Sequence, residues 1–250
     1  MYTDTRLLKA KTEDLFRQCE RHCEAKFSPF LDGGKIAFIE DHIKPEAGFN
    51  TMFFGGYDGA ERKMYGVFPE WEEADKESFP ISIVHFDAPK FRTLSHRDYL
   101  GTLMSLGIDR SKTGDILTDE GGAYIMLEEQ IAGYVLANMS KIANAGVKGR
   151  IISPQEFTPP PPKTKTKSCV AASPRLDAVI AAAFNISRTA SENLVKDGFV
   201  KINHREAASR SAQLEAGDLI SVRGHGRFIL KETGSTTGKG RLHITVEIFV

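Results

Sequence analysis

The residue types capable of chemistry fall in a few short runs of this chain. His96-Arg97-Asp98 sets an imidazole, a guanidinium and a carboxylate side by side, the groups a general base or a carboxylate nucleophile would need. A kinase catalytic loop requires Asn five residues after its Asp and a later D-F-G; Leu103 stands at that position and no such tripeptide follows. Asp98 also lies three residues after Ser95, the N3 position of a capping box, which gives its carboxylate a structural task. Cys19, His22 and Cys23 fall within about one helical turn, but tetrahedral zinc takes four ligands and no second paired set stands at a workable spacing. The expectation is a thiol pair on an amphipathic helix and no metal. Residues 1–157 offer no nucleophile–base pair and no G-x-G-x-x-G loop after a strand, so neither catalytic residues nor a cofactor is expected.

Charge recognition is better supported. Ser187-Arg188 puts a hydroxyl, a guanidinium and a helix N-terminus at one spot, and the arginine fork matches phosphate oxygens. Arg223-Gly224-His225-Gly226-Arg227 sets two arginines around glycines that let backbone approach a ligand. Arg175, Lys196, Lys201, Asn203, His204 and Arg205 fall in the same stretch and complete the expected RNA-contacting set. His96 and Arg97, at a helix start, and Lys163, Lys165 and Lys167 form a secondary set. Against this, any one arginine could pair with Asp177, Asp197 or Asp218, as surface residues commonly do.

These residues need elements to hold them. Pro174 and Asp177 favour a helix start, and Leu176, Val179, Ile180 and Ala183 make its core stripe. Ser187 caps a second helix that ends at Gly198, with Ala190 and Leu194 inward; residues 199–203 and 219–223 read as strands. Upstream, the order is β-α-β-β-α-β: strand 81–86, a helix from Ser95 to Gly107, a hairpin over 115–127, a helix over 128–145, and a strand at 150–152. That order is the split βαβ plait of ferredoxin-like and RNA-recognition folds. It lacks the aromatic signature of base-stacking recognition domains, since Tyr124 stands alone on its strand. Four consecutive prolines at 159–162, then Lys/Thr alternation, predict an extended tether. The expected organisation is an N-terminal α/β region (1–76), the plait (77–157), a linker (158–173) and a basic domain (174–250).

The net charge of zero hides an asymmetry. Residues 1–162 hold 19 Lys+Arg against 25 Asp+Glu, or −6; residues 163–250 hold 14 against 8, or +6. A basic end of this kind suits a polyanion. An apolar share of 41% supports a core without staples, no run approaches the ~18–20 apolar residues of a membrane span, and three cysteines without a signal-like start fit a reducing compartment. The cytoplasm is expected.

Residues 174–232 resemble the alpha-L RNA-binding motif, the S-four domain. The resemblance rests on Arg175-Leu176-Asp177, Ser187-Arg188-Thr189-Ala190, the run Asp197 to Asn203, and Glu215-Ala216-Gly217-Asp218-Leu219-Ile220. More narrowly, the whole chain is similar to the YlmH family of bacterial proteins, through Gly55 to Arg62, His96 to Leu117, and Ser221 to Phe228. The fold class is then α+β: an N-terminal helical and strand region, the βαββαβ plait, and a C-terminal S-four domain. The resemblance implies binding of rRNA and tRNA, association with the large ribosomal subunit, a role in translation quality control, and no enzymatic activity. One departure is His204-Arg205, where the wider S-four pattern has glycine before its basic residue. A monomer without membrane or metal partners is expected. The alternative is an RNA-modifying enzyme: His96-Arg97-Asp98 is similar to the H-R-L-D of some pseudouridine synthases but lacks the leucine. A protein–protein scaffold is a third reading.

Overall fold

The charged N-terminal segment is helix α1 (Tyr2–His22), which ends where Cys23 turns left-handed at φ 54°. The computed structural model describes residues 2–87, 93–238 and 240–249, in two compact units, Met1–Pro160 and Pro161–Val250. Phe16 and Cys19 are the buried stripe of α1. Strand β1 (Lys26–Phe27) follows, then α2 (Gly33–His42), whose N-cap Asp32 accepts from the Lys35 amide at 3.0 Å. Strands β2 (Phe49–Phe54) and β3 (Met64–Pro69) complete an antiparallel sheet of order β1-β3-β2.

The plait is built from β4 (Ile81–Asp87), α3 (His96–Ser105), β5 (Thr113–Thr118), β6 (Gly122–Glu128), α4 (Glu129–Asn138), a short hairpin β7 (Lys141–Ile142) and β8 (Ala145–Gly146), and β9 (Gly149–Ile152). Its sheet runs β5-β6-β4-β9 with every neighbour antiparallel, the arrangement of the expected βαββαβ fold. Helix α4 is shorter than its expected span of 128–145. Ile142 is fully buried, as a helical stripe would require, but it reaches the core from the hairpin, whose turn residues Ala143 and Asn144 are both left-handed.

Strand alternation explains why the N-terminal region and the plait are one unit rather than two. Tyr65 and Val67 of β3 face the core shared with α1 and α2, whereas Met64 and Phe68 face the plait sheet. On that sheet Val84, Phe86, Ile125 and Leu127 point to α3 and α4, and Ile83, Met126 and Ile152 pack with Phe30, Met64, Phe68 and Phe79. The sheet face that RNA-recognition domains leave open is thus largely covered by the protein's own N-terminal layer. Buried polar groups lock the contact. Asp115 accepts from Tyr57 Oη at 2.8 Å and from the amides of Glu61 and Arg62 at 2.7 and 3.0 Å. Arg62 donates to the carbonyls of Thr113, Phe30 and Arg110. Burial, with Arg62 close by, pulls the Arg110 guanidinium down to about 10.

The second unit starts earlier than expected. Thr164–Ala171, read from sequence as part of the 158–173 linker, is strand β10, paired residue for residue with the last strand. The Lys/Thr alternation has the period of a strand, sending Cys169 and Ala171 toward the core and Thr166 and Ser168 outward. Helices α5 (Leu176–Phe184) and α6 (Arg188–Lys196) follow, then β11 (Val200–Ile202), β12 (Arg205–Glu206), β13 (Leu219–Val222), β14 (Gly226–Thr236) and β15 (Leu242–Phe249). The sheet order is β10-β15-β14-β13-β11-β12. The α5 stripe Leu176, Val179, Ile180 and Ala183 is buried, as the spacing predicts, against Val200, Ile220, Val222, Phe228 and Leu230. On α6 the inward residues are Ser191, Leu194 and Val195; Ala190, expected inward, is exposed.

Candidate nucleic-acid interface

Two basic clusters form in the second unit. The first is organised by Asp177, whose carboxylate is fully buried in the first turn of α5. Arg175 grips it with two nitrogens, Nε on Oδ1 at 3.1 Å and Nη2 on Oδ2 at 3.2 Å, and Arg188 Nε donates to Oδ2 at 2.9 Å. Burial alone would push this carboxyl up, but hydrogen bonds from Arg175 and Arg188 outweigh it and hold the group below its ordinary value. Both arginines stay partly in solvent, at 32% and 49% side-chain exposure. The pairing that could have silenced them instead fixes two guanidiniums at the joint of α5 and α6. Ser187 acts as the expected N-cap, its Oγ accepting from the Ala190 amide at 3.1 Å.

The second cluster lies on the sheet face away from the helices. Register places Lys201, Ser221 and Arg227 opposite one another across β11, β13 and β14. Phe228 pairs with Ile248 on β15, which brings Phe249 beside Arg227. The Arg227 guanidinium lies over the Phe249 ring at 4.4 Å and that of Arg223 over Phe199 at 5.2 Å. Lys201, Arg223, Arg227, Phe199 and Phe249 line one groove, with no carboxylate among its described lining residues. Lys196 sits elsewhere, in a cleft that also holds Glu192, Glu206 and Arg210, where Arg210 pairs with Glu192 at 2.5 Å.

The remaining candidates divide. Asn203 works in the turn: its Nδ2 donates to Asp218 at 2.7 Å, and its Oδ1 accepts from the Leu219 amide at 2.9 Å. Asn203 and His204 are both left-handed (φ 48° and 68°), the geometry of a two-residue hairpin turn, so histidine takes the conformation for which the S-four pattern supplies glycine. Arg205 is exposed beside that turn. Lys163 and Lys165 are exposed, but Lys167 is not a free cation. Its Nζ donates to the carbonyls of Ala182 and Ala183 at 3.0 and 2.7 Å, closing the C-terminal end of α5. In the plait, His96 and Arg97 are exposed in the first turn of α3. Asp98 accepts from the Ser95 amide at 2.8 Å and from Ser95 Oγ at 2.7 Å, as a capping residue does. Cys19 is buried and Cys23 exposed, and no metal-binding group forms among the described residues.

Sequence reasoning missed the two rings and the organising role of Asp177. Phe199 could have been found by its place two residues before Lys201 on the same strand face; Phe249 needs the β14–β15 register, which no local pattern reveals.

Two helices and a hairpin sheet with clustered arginines, following an α/β plait in the sequence, define an RNA-binding protein of the S-four class. The S4 domain model matches residues 174–220, and the model described as "Putative RNA-binding domain in YlmH" matches residues 74–156. Over 225 residues the chain is 33% identical to the ribosome-associated protein quality control protein P2 of Bacillus subtilis (strain 168), spanning 89% of this chain and 86% of that one. The chain belongs to the YlmH family. The solved structure of the cell division protein ylmH from Streptococcus pneumoniae has a similar fold, with a TM-score of 0.52 at 24% identity, covering 61% of this chain and 93% of that one. No helix among the described residues is long and apolar enough to cross a membrane.

Proposed function

We propose that this protein binds structured RNA on the ribosome, contacting rRNA and tRNA at the large subunit, and serves translation quality control as a non-catalytic, monomeric cytoplasmic factor. The observation that carries the reading is the cationic groove of Lys201, Arg223 and Arg227, which has no carboxylate among its described lining residues, in the same unit as the Asp177-held pair Arg175 and Arg188. Exposed guanidiniums held in fixed geometry suit phosphates, which present charge at regular spacing, and the excess of six positive charges over residues 163–250 favours the encounter. Arg205 beside the hairpin turn and the exposed Lys163 and Lys165 add charge in the same unit, Lys196 is offset by Glu192 and Glu206 in its cleft, and His96 and Arg97 offer a second contact from the plait. Ser187, Asn203 and His204 serve by shaping the backbone. The ribosome as target is supported by the relative named as ribosome-associated. The absence of a catalytic role is supported by Asp98, whose carboxylate is engaged by Ser95.

Sedimentation tests the proposal. The full chain should travel with large subunits at moderate salt, and its affinity for structured RNA should fall with log salt at a slope of about −3 to −5, corresponding to roughly five phosphates. Protein that stays at the top of the gradient would remove the ribosomal assignment. Conversion of an RNA base that disappears in Asp98→Asn would instead establish the enzyme.

A further inference from the structure

We infer that the groove on the open face of the S-four sheet is a stacking site for one unpaired nucleotide of the bound RNA. The inference rests on the RNA-binding reading and adds a requirement that phosphate recognition does not make. Phosphates need cations; they do not need aromatic faces. This groove has both. Phe199 is 38% exposed and Phe249 only partly covered, and each supports a guanidinium lying over its ring. The core of the unit lies on the opposite face of the same strands, so neither ring is held open by packing needs there. Gly226, at φ +110°, leaves open space where a side chain would project, which keeps the floor between Arg223 and Arg227 clear.

Planar cations on planar rings offer surfaces on which a flat heteroaromatic base can stack, while Lys201 lines the same groove and supplies a cation for its phosphate. A base inside a duplex is already stacked on its neighbours and cannot present a face. A bulged, looped or terminal base can. The groove therefore selects irregular RNA, and it does so without reading sequence, because every base has such a face. The cleft that holds Lys196 shows the contrast: Glu192 and Glu206 contribute carboxylates there that would repel the backbone carrying any base.

The test uses the full chain with two hairpin RNAs of the same stem, one fully paired and one carrying a single bulged 2-aminopurine. Wild-type protein should prefer the bulged RNA by roughly tenfold and change the fluorescence of the reporter base as it stacks. Phe199→Ala and Phe249→Ala should each reduce that preference to about twofold or less and weaken the fluorescence change, the loss of affinity falling more heavily on the bulged RNA than on the paired stem. Phe249→Leu, which keeps apolar bulk at the end of β15, should lose the fluorescence change as well. Equal wild-type affinity for the two RNAs overturns the stacking site while leaving RNA binding intact. Variants that weaken both RNAs equally overturn it too, since the rings then only support the arginines. Failure to bind either RNA overturns the RNA-binding reading itself.

Discussion

Asp177→Asn removes the charge on which the geometry of Arg175 and Arg188 depends. The carboxylate receives two hydrogen bonds from Arg175 and one from Arg188, at 2.9–3.2 Å. A hydrogen bond to a charged group contributes roughly 1.5–3 kcal/mol, but bonds sharing one acceptor do not add. The arginines are 32% and 49% exposed, so water recovers part of what each loses. Asparagine keeps one acceptor and turns an amide N–H toward a guanidinium. The net loss should be about 2–3 kcal/mol, under the ~3–5 expected for a wholly buried pair. Fluorescence would miss it, because every tyrosine and the single tryptophan precede residue 161. Hydrogen exchange at Ile180 and Ile220, in the core of the second unit, reads it directly: roughly 30- to 150-fold faster opening at neutral pH. The folded carboxyl sits below its unfolded value, so its contribution is complete above the usual carboxylate range and is lost as pH falls through the folded value. The gap between wild type and variant should therefore narrow below about pH 4. An exchange change under threefold, or a gap that widens with acid, would refute the role given to Asp177.

Lys201→Glu and Arg223→Glu should each weaken structured-RNA binding about tenfold and flatten the salt slope by about one, with unfolding unchanged; filter binding over a salt series measures both. Lys167→Met should destabilise the second unit by about 1–2 kcal/mol through two unpaired α5 carbonyls, while leaving RNA affinity within about twofold, as a denaturant titration followed by circular dichroism would report. Asp98→Asn should cost about 0.5–1 kcal/mol at the start of α3 and leave RNA binding intact, and nucleoside mass spectrometry of treated RNA should show no modified base with either protein.

Local grammar made much of the fold legible. Ser95 and Ser187 start helices, Gly107 and Gly198 follow their ends in left-handed conformations, and the spacing of Leu176, Val179, Ile180 and Ala183 names the buried face of α5. What escaped depends on partners distant in the chain. Strand β10 buries little of its own, so nothing in its composition announces a sheet; its partner lies some 70 or more residues away. Ile142 keeps a helical spacing after the helix has ended, because a hairpin delivers it to the same core. The cationic residues of the site were readable one by one, but their quality was not. Lys167 and Arg223 look alike in sequence, and only the fold shows that one closes a helix and the other lies on a ring in a cationic groove.

The polarity that hides β10 also suits the order in which the chain is made. Thr164 pairs with Phe249, so β10 leaves the ribosome well before its partner exists. At ~5–20 residues per second, it waits roughly 4 to 16 seconds as a bare strand. An apolar segment in that position would be open to pairing with other nascent chains. Lysine and threonine at alternate places retain strand geometry yet discourage such pairing, and β10 remains at the edge of the finished sheet with the same protection.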